Sequence, residues 1–280
     1  MISDLDDLID RALKEDRTDA DVTTNPLSST PHIGRARLIA KDDLILSGSE
    51  VFTKVVQRLE PQAEIKWIFK NGDLVLKGQN MATLYCNTIQ LLKAERVALN
   101  FLGRMCGIAT LTQCFVKQIE GLPCKIIDTR KTTPLLRHLE KKAVLDGGGF
   151  NHRMSLADAV LIKDNHIALM GGIKPAVEAI RKQHPEFIEV ETKNMREVRE
   201  AIQLQVNRIM LDNMSNEMMK EAVQEIPSSI EIEASGNMSL DRVRAVAELG
   251  VHFISVGAIT HSAPCADISL EFSDLEKAKK

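Results

Sequence analysis

Ile188-Glu189-Val190-Glu191-Thr192-Lys193, Ile209-Met210-Leu211-Asp212-Asn213, Ile230-Glu231-Ile232-Glu233-Ala234-Ser235-Gly236-Asn237 and Phe253-Ile254-Ser255-Val256-Gly257-Ala258 decide the fold. Each is a short, largely apolar run that ends in polar residues. Two earlier runs have the same form: Ile126-Ile127 leads into Asp128-Thr129-Arg130-Lys131, and Val160-Leu161-Ile162 into Lys163-Asp164-Asn165-His166. From Glu191 to Asp212, Asp212 to Ser235 and Ser235 to Gly257 the steps are 21, 23 and 22 residues. That spacing holds one strand, one helix and two short loops. Helical patterns occupy the intervals, as from Met195 to Leu204 and from Leu240 to Leu249. Strands alternating with helices predict parallel βαβ units. A barrel gathers all its strand ends around one mouth, whereas an open sheet concentrates polar groups near a single switch point. Polar residues recur after every run, so the pattern predicts a parallel α/β barrel. Only six strands are evident, short of a full count of eight.

Upstream the rhythm differs. Leu5, Leu8, Ile9, Ala12 and Leu13 mark an amphipathic helix. Arg37-Leu38-Ile39-Ala40 and Leu44-Ile45-Leu46 read as strands, and Val51 to Leu59 as a short helix. Ile65 to Phe69 and Leu74 to Leu76 flank Lys70-Asn71-Gly72-Asp73, an Asn-Gly hairpin signal. Two helical runs follow, Ile89 to about Phe101 and Ala109 to Ile119. The first ~110 residues therefore read as a small α+β unit with antiparallel pairing.

With 36 Lys+Arg against 39 Asp+Glu the 280-residue chain carries a net charge of -3, which argues against a generic nucleic-acid binder. No apolar run approaches the ~20 residues that span a bilayer, and Met1-Ile2-Ser3-Asp4-Leu5-Asp6-Asp7 is acidic where a signal peptide is basic. Cys86, Cys106, Cys114, Cys124 and Cys265 are scattered without a Cys-x-x-Cys pair, which suggests neither a disulfide framework nor a zinc site. A cytoplasmic protein without membrane or nucleic-acid partners is expected.

Against that slightly acidic background, Asp128 to His166 holds Arg130, Lys131, Arg137, Lys141, Lys142, Arg153 and Lys163, with His138, His152 and His166. In a barrel Arg130, Lys131 and Lys163 sit at strand ends facing one cavity, where clustered cations capture small anions. Arginine favours planar carboxylates; lysine acts as a point charge for phosphate. Lys141 and Lys142 read instead as a solvated basic face. Gly147-Gly148-Gly149 before Phe150-Asn151-His152-Arg153 gives a loop free to wrap a ligand, or simply a flexible connection. Ser235-Gly236-Asn237-Met238-Ser239, with Gly257, matches the phosphate loops that follow the last strands of such barrels. Helix capping by Asn237 or Ser239 is the alternative. Glu191 and Asp212 are positioned to accept from sugar hydroxyls, to hold Mg²⁺ with substrate phosphates or to stabilise a developing cation. Ion pairing with Lys163 or Lys193 is the competing reading.

These residues describe a site for a multiply anionic substrate pair. Asp128-Thr129-Arg130-Lys131-Thr132-Thr133-Pro134, Gly147 to Arg153, and Leu161-Ile162-Lys163-Asp164-Asn165-His166 resemble the quinolinate phosphoribosyltransferases (carboxylating nicotinate-nucleotide pyrophosphorylases). The resemblance extends to Glu95-Arg96 with Ala98 to Leu102, to Ile188-Glu189-Val190-Glu191, and to Gly257 to Ser262. It covers nearly the whole chain. It implies an N-terminal α/β sandwich over 1–110 with which tail 266–280 packs, and an incomplete α/β barrel over 111–265. It further implies that quinolinate and phosphoribosyl pyrophosphate give nicotinate mononucleotide, pyrophosphate and CO₂ with Mg²⁺, in de novo NAD synthesis. A homodimer is implied too, with Arg96 reaching the partner's site. By the same resemblance Arg130, His152 and Arg153 bind the quinolinate carboxylates, and Lys131 and Lys163 lie between the two substrates. Glu191 and Asp212 contact ribose hydroxyls or the metal; Ser235, Gly236, Asn237 and Gly257 hold the 5′-phosphate. Two positions depart from the family pattern: Asn237 replaces a second glycine, and Ala20-Asp21-Val22-Thr23 stands where Gly-Asp-x-Thr is usual.

Competing readings are a barrel phosphoribosyltransferase for nicotinate or another acid, a Schiff-base aldolase using Lys163, and a non-catalytic sugar-phosphate binder.

Overall fold

The structure is a computed structural model that describes residues 2–27 and 33–276, with side chains described from Leu5 to Ser273. Among these residues one compact unit takes the chain to Leu111, Pro134–Gly147 and the residues from Ala263; a second takes Thr112–Thr133 and Gly148–Ser262.

In the first unit α1 (Ile2–Glu15) turns Ile9 and Leu13 into the core, as its period predicts. Next come β1 (Ile33–Ala40), β2 (Leu44–Ile45), α2 (Ser49–Leu59), β3 (Glu64–Trp67), β4 (Leu74–Val75) and β5 (Asn80–Asn87). Every second residue of β1 is buried, the signature of a sheet with one covered face. That strand pairs antiparallel with β5 on one side and with the chain's last strand, Ile268–Glu276, on the other; β3 completes a four-stranded sheet beyond β5. The tail expected at 266–280 thus belongs to this unit, its last four residues lying outside the described ones. Phe52 meets the Trp67 ring edge-on at 5.7 Å, and Trp67 Nε1 donates to Thr53 Oγ1 at 3.0 Å.

Four expectations need correction. The Asn-Gly turn forms, with Asp73 N donating to Lys70 O at 3.0 Å, but β3 pairs with β5 and β4 with β2, so there is no hairpin. Only Gly72 (φ 94) takes a positive φ there; Asn71 does not. A two-residue hairpin requires positive φ at the first central position, so this turn splays its flanks. The two helical runs are one helix, α3 (Thr88–Gln118). Its small residues do not interrupt it. A Cβ at Gly107 would overlap the Pro264 carbonyl, and Ala266 N donates to Gly103 O at 2.9 Å, so these glycines admit a crossing backbone.

Third, Pro134–Gly147, expected within the barrel span, joins the first unit. There α4 (Arg137–Asp146), which follows β6 (Lys125–Ile127), buries Glu140 against Arg104, whose Nε and Nη2 donate at 3.1 and 2.9 Å. Fourth, Lys141 is fully buried rather than solvated, and Lys142 pairs with Asp146 at 3.0 Å.

The second unit continues with β7 (Val160–Ile162), α5 (Asp164–Met170), α6 (Ile173–Arg181), β8 (Ile188–Thr192), α7 (Met195–Gln203), β9 (Arg208–Asp212), α8 (Asn216–Glu225), β10 (Glu231–Ser235), α9 (Leu240–Ala247), β11 (Phe253–Ser255) and α10 (Ala258–His261). Its six strands are parallel in the order β6-β11-β10-β9-β8-β7. All five residues of β8 are buried, as in a parallel sheet covered on both faces. Phe150 bridges the free side of β6, through Phe150 N to Ile126 O (2.9 Å) and Asp128 N to Phe150 O (3.0 Å). Among the described residues β7 does not pair back to β6, so the barrel is incomplete.

Candidate active site

Right-handed βαβ units bring the C-terminal ends of parallel strands to one side. In the second unit those ends enclose a cavity of ≈ 510 Å³. Ten of the expected residues line it: Arg130, Lys131, His152, Arg153, Lys163, Glu191, Asp212, Ser235, Gly236 and Asn237. Gly257 lies just behind, where a Cβ would come within 3.2 Å of Lys131 Cδ and 3.1 Å of His261 Nε2. Arg96 is exposed on α3 in the first unit and does not line the cavity. Arg137, His138, Lys141 and Lys142 do not line it either.

The cationic side is built from β6, the residues after Phe150, and β7. Thr260 Oγ1 donates to Lys131 O at 2.8 Å and fixes that strand tip. The buried Asp128 accepts from His152 N at 2.9 Å, and Arg153 Nη1 donates to Ala159 O at 2.9 Å. Burial, then the neighbouring Arg130, weakens the Arg153 guanidinium's hold on its proton. Like charges held close are the mark of a site awaiting an anion.

The opposite side carries Glu191 and Asp212, at and near the ends of neighbouring strands. Glu191 pairs with Lys163 at 3.1 Å, as one competing reading expected. Lys193 instead pairs with Asp164 at 2.9 Å. Asp212 accepts from Asn213 Nδ2 at 2.9 Å. Gly236 (φ 88) leads the loop after β10; a Cβ there would overlap Asn213 Oδ1 and approach Asn213 N to 2.8 Å. Neither expected cap forms: Asn237 donates to Asn213 Oδ1 at 3.0 Å, and Ser239 holds the N-cap position of α9 without a side-chain bond.

Sequence reasoning missed the floor. Glu189 and Glu233, each about 1% exposed or less, present Oε2 to His152 Nε2 at 3.3 and 3.4 Å. Arg208 reaches the same two oxygens at 3.8 and 3.5 Å and stacks on Phe253 at 4.2 Å. In the neutral imidazole Nδ1 accepts from Arg153 N at 2.7 Å. Burial opposes charging the ring, and the hydrogen bonds and charges of Glu189 and Glu233 outweigh it and raise His152 to about 9. Burial and the Glu233 charge push Glu189 up; the bond and charge of His152 hold Glu233 down despite burial. The signal lay in the runs themselves, since a glutamate two places before the polar tip shares the inward face of its strand. His152, Glu189 and Glu233 offer a metal-ligand set, but the Arg208 guanidinium faces the same carboxylates, so the arrangement reads as a neutralised charge cluster.

Glu191, shared with Lys163, and Asp212, with one oxygen taken by Asn213, are carboxylates of the kind that suit a hard divalent cation that also takes substrate phosphate oxygens. All five cysteines are free, and among the described residues no helix is long and apolar enough to cross a membrane.

Comparisons with known proteins agree along the whole chain. Residues 21–106 match the N-terminal domain of quinolinate phosphoribosyl transferase and residues 108–271 its C-terminal domain. A Synechocystis protein named probable nicotinate-nucleotide pyrophosphorylase (carboxylating) is 42% identical over 272 residues, covering 95% of this chain and 92% of that one. The chloroplastic enzyme of that name from Arabidopsis thaliana is 41% identical, over 84% and 73%. Among solved structures, nicotinate-nucleotide pyrophosphorylase from Ehrlichia chaffeensis superposes with a TM-score of 0.92 at 37% identity, covering 95% and 98%. The Francisella tularensis enzyme gives 0.90 at 35%, covering 97% and 96%. With both domains matched in order and the barrel's strand-end residues in place, the chain belongs to the quinolinate phosphoribosyltransferase family.

Proposed function

We propose that this cavity joins quinolinate to phosphoribosyl pyrophosphate, releasing pyrophosphate and CO₂ and leaving nicotinate mononucleotide, a step of NAD biosynthesis. The observation that carries the reading is a single cavity lined together by Arg130, Lys131, Arg153 and Lys163, by Glu191 and Asp212, and by the loop led by Gly236. Quinolinate has two carboxylates and the donor several phosphate charges, so holding both together requires cations between them. Arg130, Arg153 and the charged His152 suit the planar dicarboxylate. Lys131 and Lys163 lie where both substrates are screened. Ser235, Gly236, Asn237 and Gly257 suit the 5′-phosphate through backbone N–H groups beside the start of α9.

As pyrophosphate leaves, positive charge grows at the sugar, and Glu191 and Asp212 face it from fixed positions. The ring nitrogen attacks the sugar carbon, its new positive charge stabilises the carbanion left when CO₂ departs, and that carbon then takes a proton from water to give nicotinate mononucleotide. No side-chain nucleophile is needed, because positioning two repelling anions supplies the effective molarity. Lys163 Nζ lies 3.1 Å from Glu191 Oε2 and is about half exposed, not set in the desolvated apolar pocket that activates a Schiff-base lysine. Glu191 and Asp212 are also the residues that would hold Mg²⁺, which when bound neutralises the departing pyrophosphate. The reading includes a cytoplasmic homodimer in which the exposed Arg96 completes the partner's cavity.

The test is an assay with quinolinate, phosphoribosyl pyrophosphate and Mg²⁺ that follows CO₂ and pyrophosphate together. Equal release of both is expected; pyrophosphate without CO₂ would point to another acid as substrate. Arg130→Ala should weaken quinolinate binding by about 10–100-fold, a lost charge-assisted pair, with little change for the donor. Small, equal effects on both would overturn this assignment.

A further inference from the structure

We propose that Asn213 is a positioning residue that fixes the Asp212 carboxylate and ties it to the loop after β10, so that donor phosphate and sugar are read by one unit; this rests on the reading above.

Asn213 follows β9 directly and takes a left-handed backbone (φ 53). In the loop after the next strand Asn237 does the same (φ 48). That conformation is uncommon for residues other than glycine, and here the two amides meet. Asn237 Nδ2 donates to Asn213 Oδ1 at 3.0 Å, and Asn213 Nδ2 donates to Asp212 Oδ2 at 2.9 Å. The amide can face only one way, because a carboxylate accepts and does not donate. Asn213 N also donates to Ser235 O at 3.0 Å. Arg242 clamps both loops from behind, through Gly236 O at 3.2 Å and Met214 O at 2.7 Å. Any side chain at Gly236 would strike the Asn213 amide.

One carboxylate oxygen of Asp212 is thereby occupied, leaving the other for the sugar or a donor-bound cation. A glycine at 237 would have no side chain to hold the Asn213 amide, so this part of the clasp comes from this chain's own residue. Movement of the phosphate loop is transmitted to Asp212 through two hydrogen bonds.

Asn213→Gly keeps the backbone conformation and deletes the amide. In the full-length enzyme with Mg²⁺ and both substrates it should lower kcat by about 10–100-fold, the usual effect of losing a partner that orients a working group. Quinolinate binding measured by calorimetry and the melting temperature should not change. Asn237→Gly should lower kcat several-fold, and the double variant should be no slower than Asn213→Gly, since both act through one chain of bonds. Wild-type kcat in Asn213→Gly, or effects that simply multiply, would overturn the proposal. A wild-type enzyme that fails to turn over this substrate pair would instead sink the functional reading.

Discussion

The two units bury charge in opposite ways. In the first, the pair Arg104–Glu140 is simple: Glu140 is 1% exposed, while Arg104 is 19% exposed and also donates to Ala263 O at 3.0 Å. Lys141 is fully buried in this unit too, and the unit's apolar core gathers around Phe52, Leu38 and Leu84. In the barrel two buried glutamates share one histidine and one arginine, and among the described residues Glu189 Oε1 and Glu233 Oε1 have no hydrogen-bond partner. A fold seeking stability alone would replace such a cluster with hydrocarbon. Two of its members, His152 and Glu233, line the cavity, so the cluster fixes the imidazole at the site.

The contrast can be broken most severely at Glu233. Glu233→Ala strands Arg208 and His152 in the barrel interior and should cost about 3–5 kcal/mol in chemical denaturation. Quinolinate affinity should fall with it, because His152 loses its anchor. If stability falls while affinity stays constant, the cluster is structural only.

Titration sharpens the same point. Folded His152 titrates at about 9, against ~6.5 in an unfolded chain. Its stabilisation is complete below pH 6.5 and is lost as pH rises through 9, on the order of 2–3 kcal/mol. Denaturation between pH 6 and 10 should show this decline, and His152→Asn should flatten it.

The smallest effect belongs to the first unit. Glu140→Ala leaves Arg104 with its carbonyl and partial access to water, so about 1–3 kcal/mol is expected. Substrate binding in the barrel cavity should not follow.

How much was legible beforehand follows the range of each interaction. The six strand runs and their polar tips were readable because strand period and repeat spacing are local; eight site residues followed once a barrel placed those tips around one mouth, while His152 and Arg153 came from the loop after Gly149 and the family resemblance. The Asn-Gly turn misled because β3 had a better partner in β5, a preference set by residues distant in sequence. The interval between the two expected helical runs, Phe101 to Ala109, is helical in α3, and its Gly103 and Gly107 leave room for the backbone of Pro264 to Ala266. Lys141 suggested a solvated face, yet it is fully buried.

The sequence by itself determined the order of elements, the strand-tip residues and the family, since those reside in local patterns and in motifs. Tertiary structure alone decided that Glu189, Glu233 and Arg208 meet His152, and that Asn213 lies between Asp212 and Asn237. Apart from the neighbours Asp212 and Asn213, those contacts join residues about 20 to 80 positions apart, and only assembly of the parallel sheet brings them together.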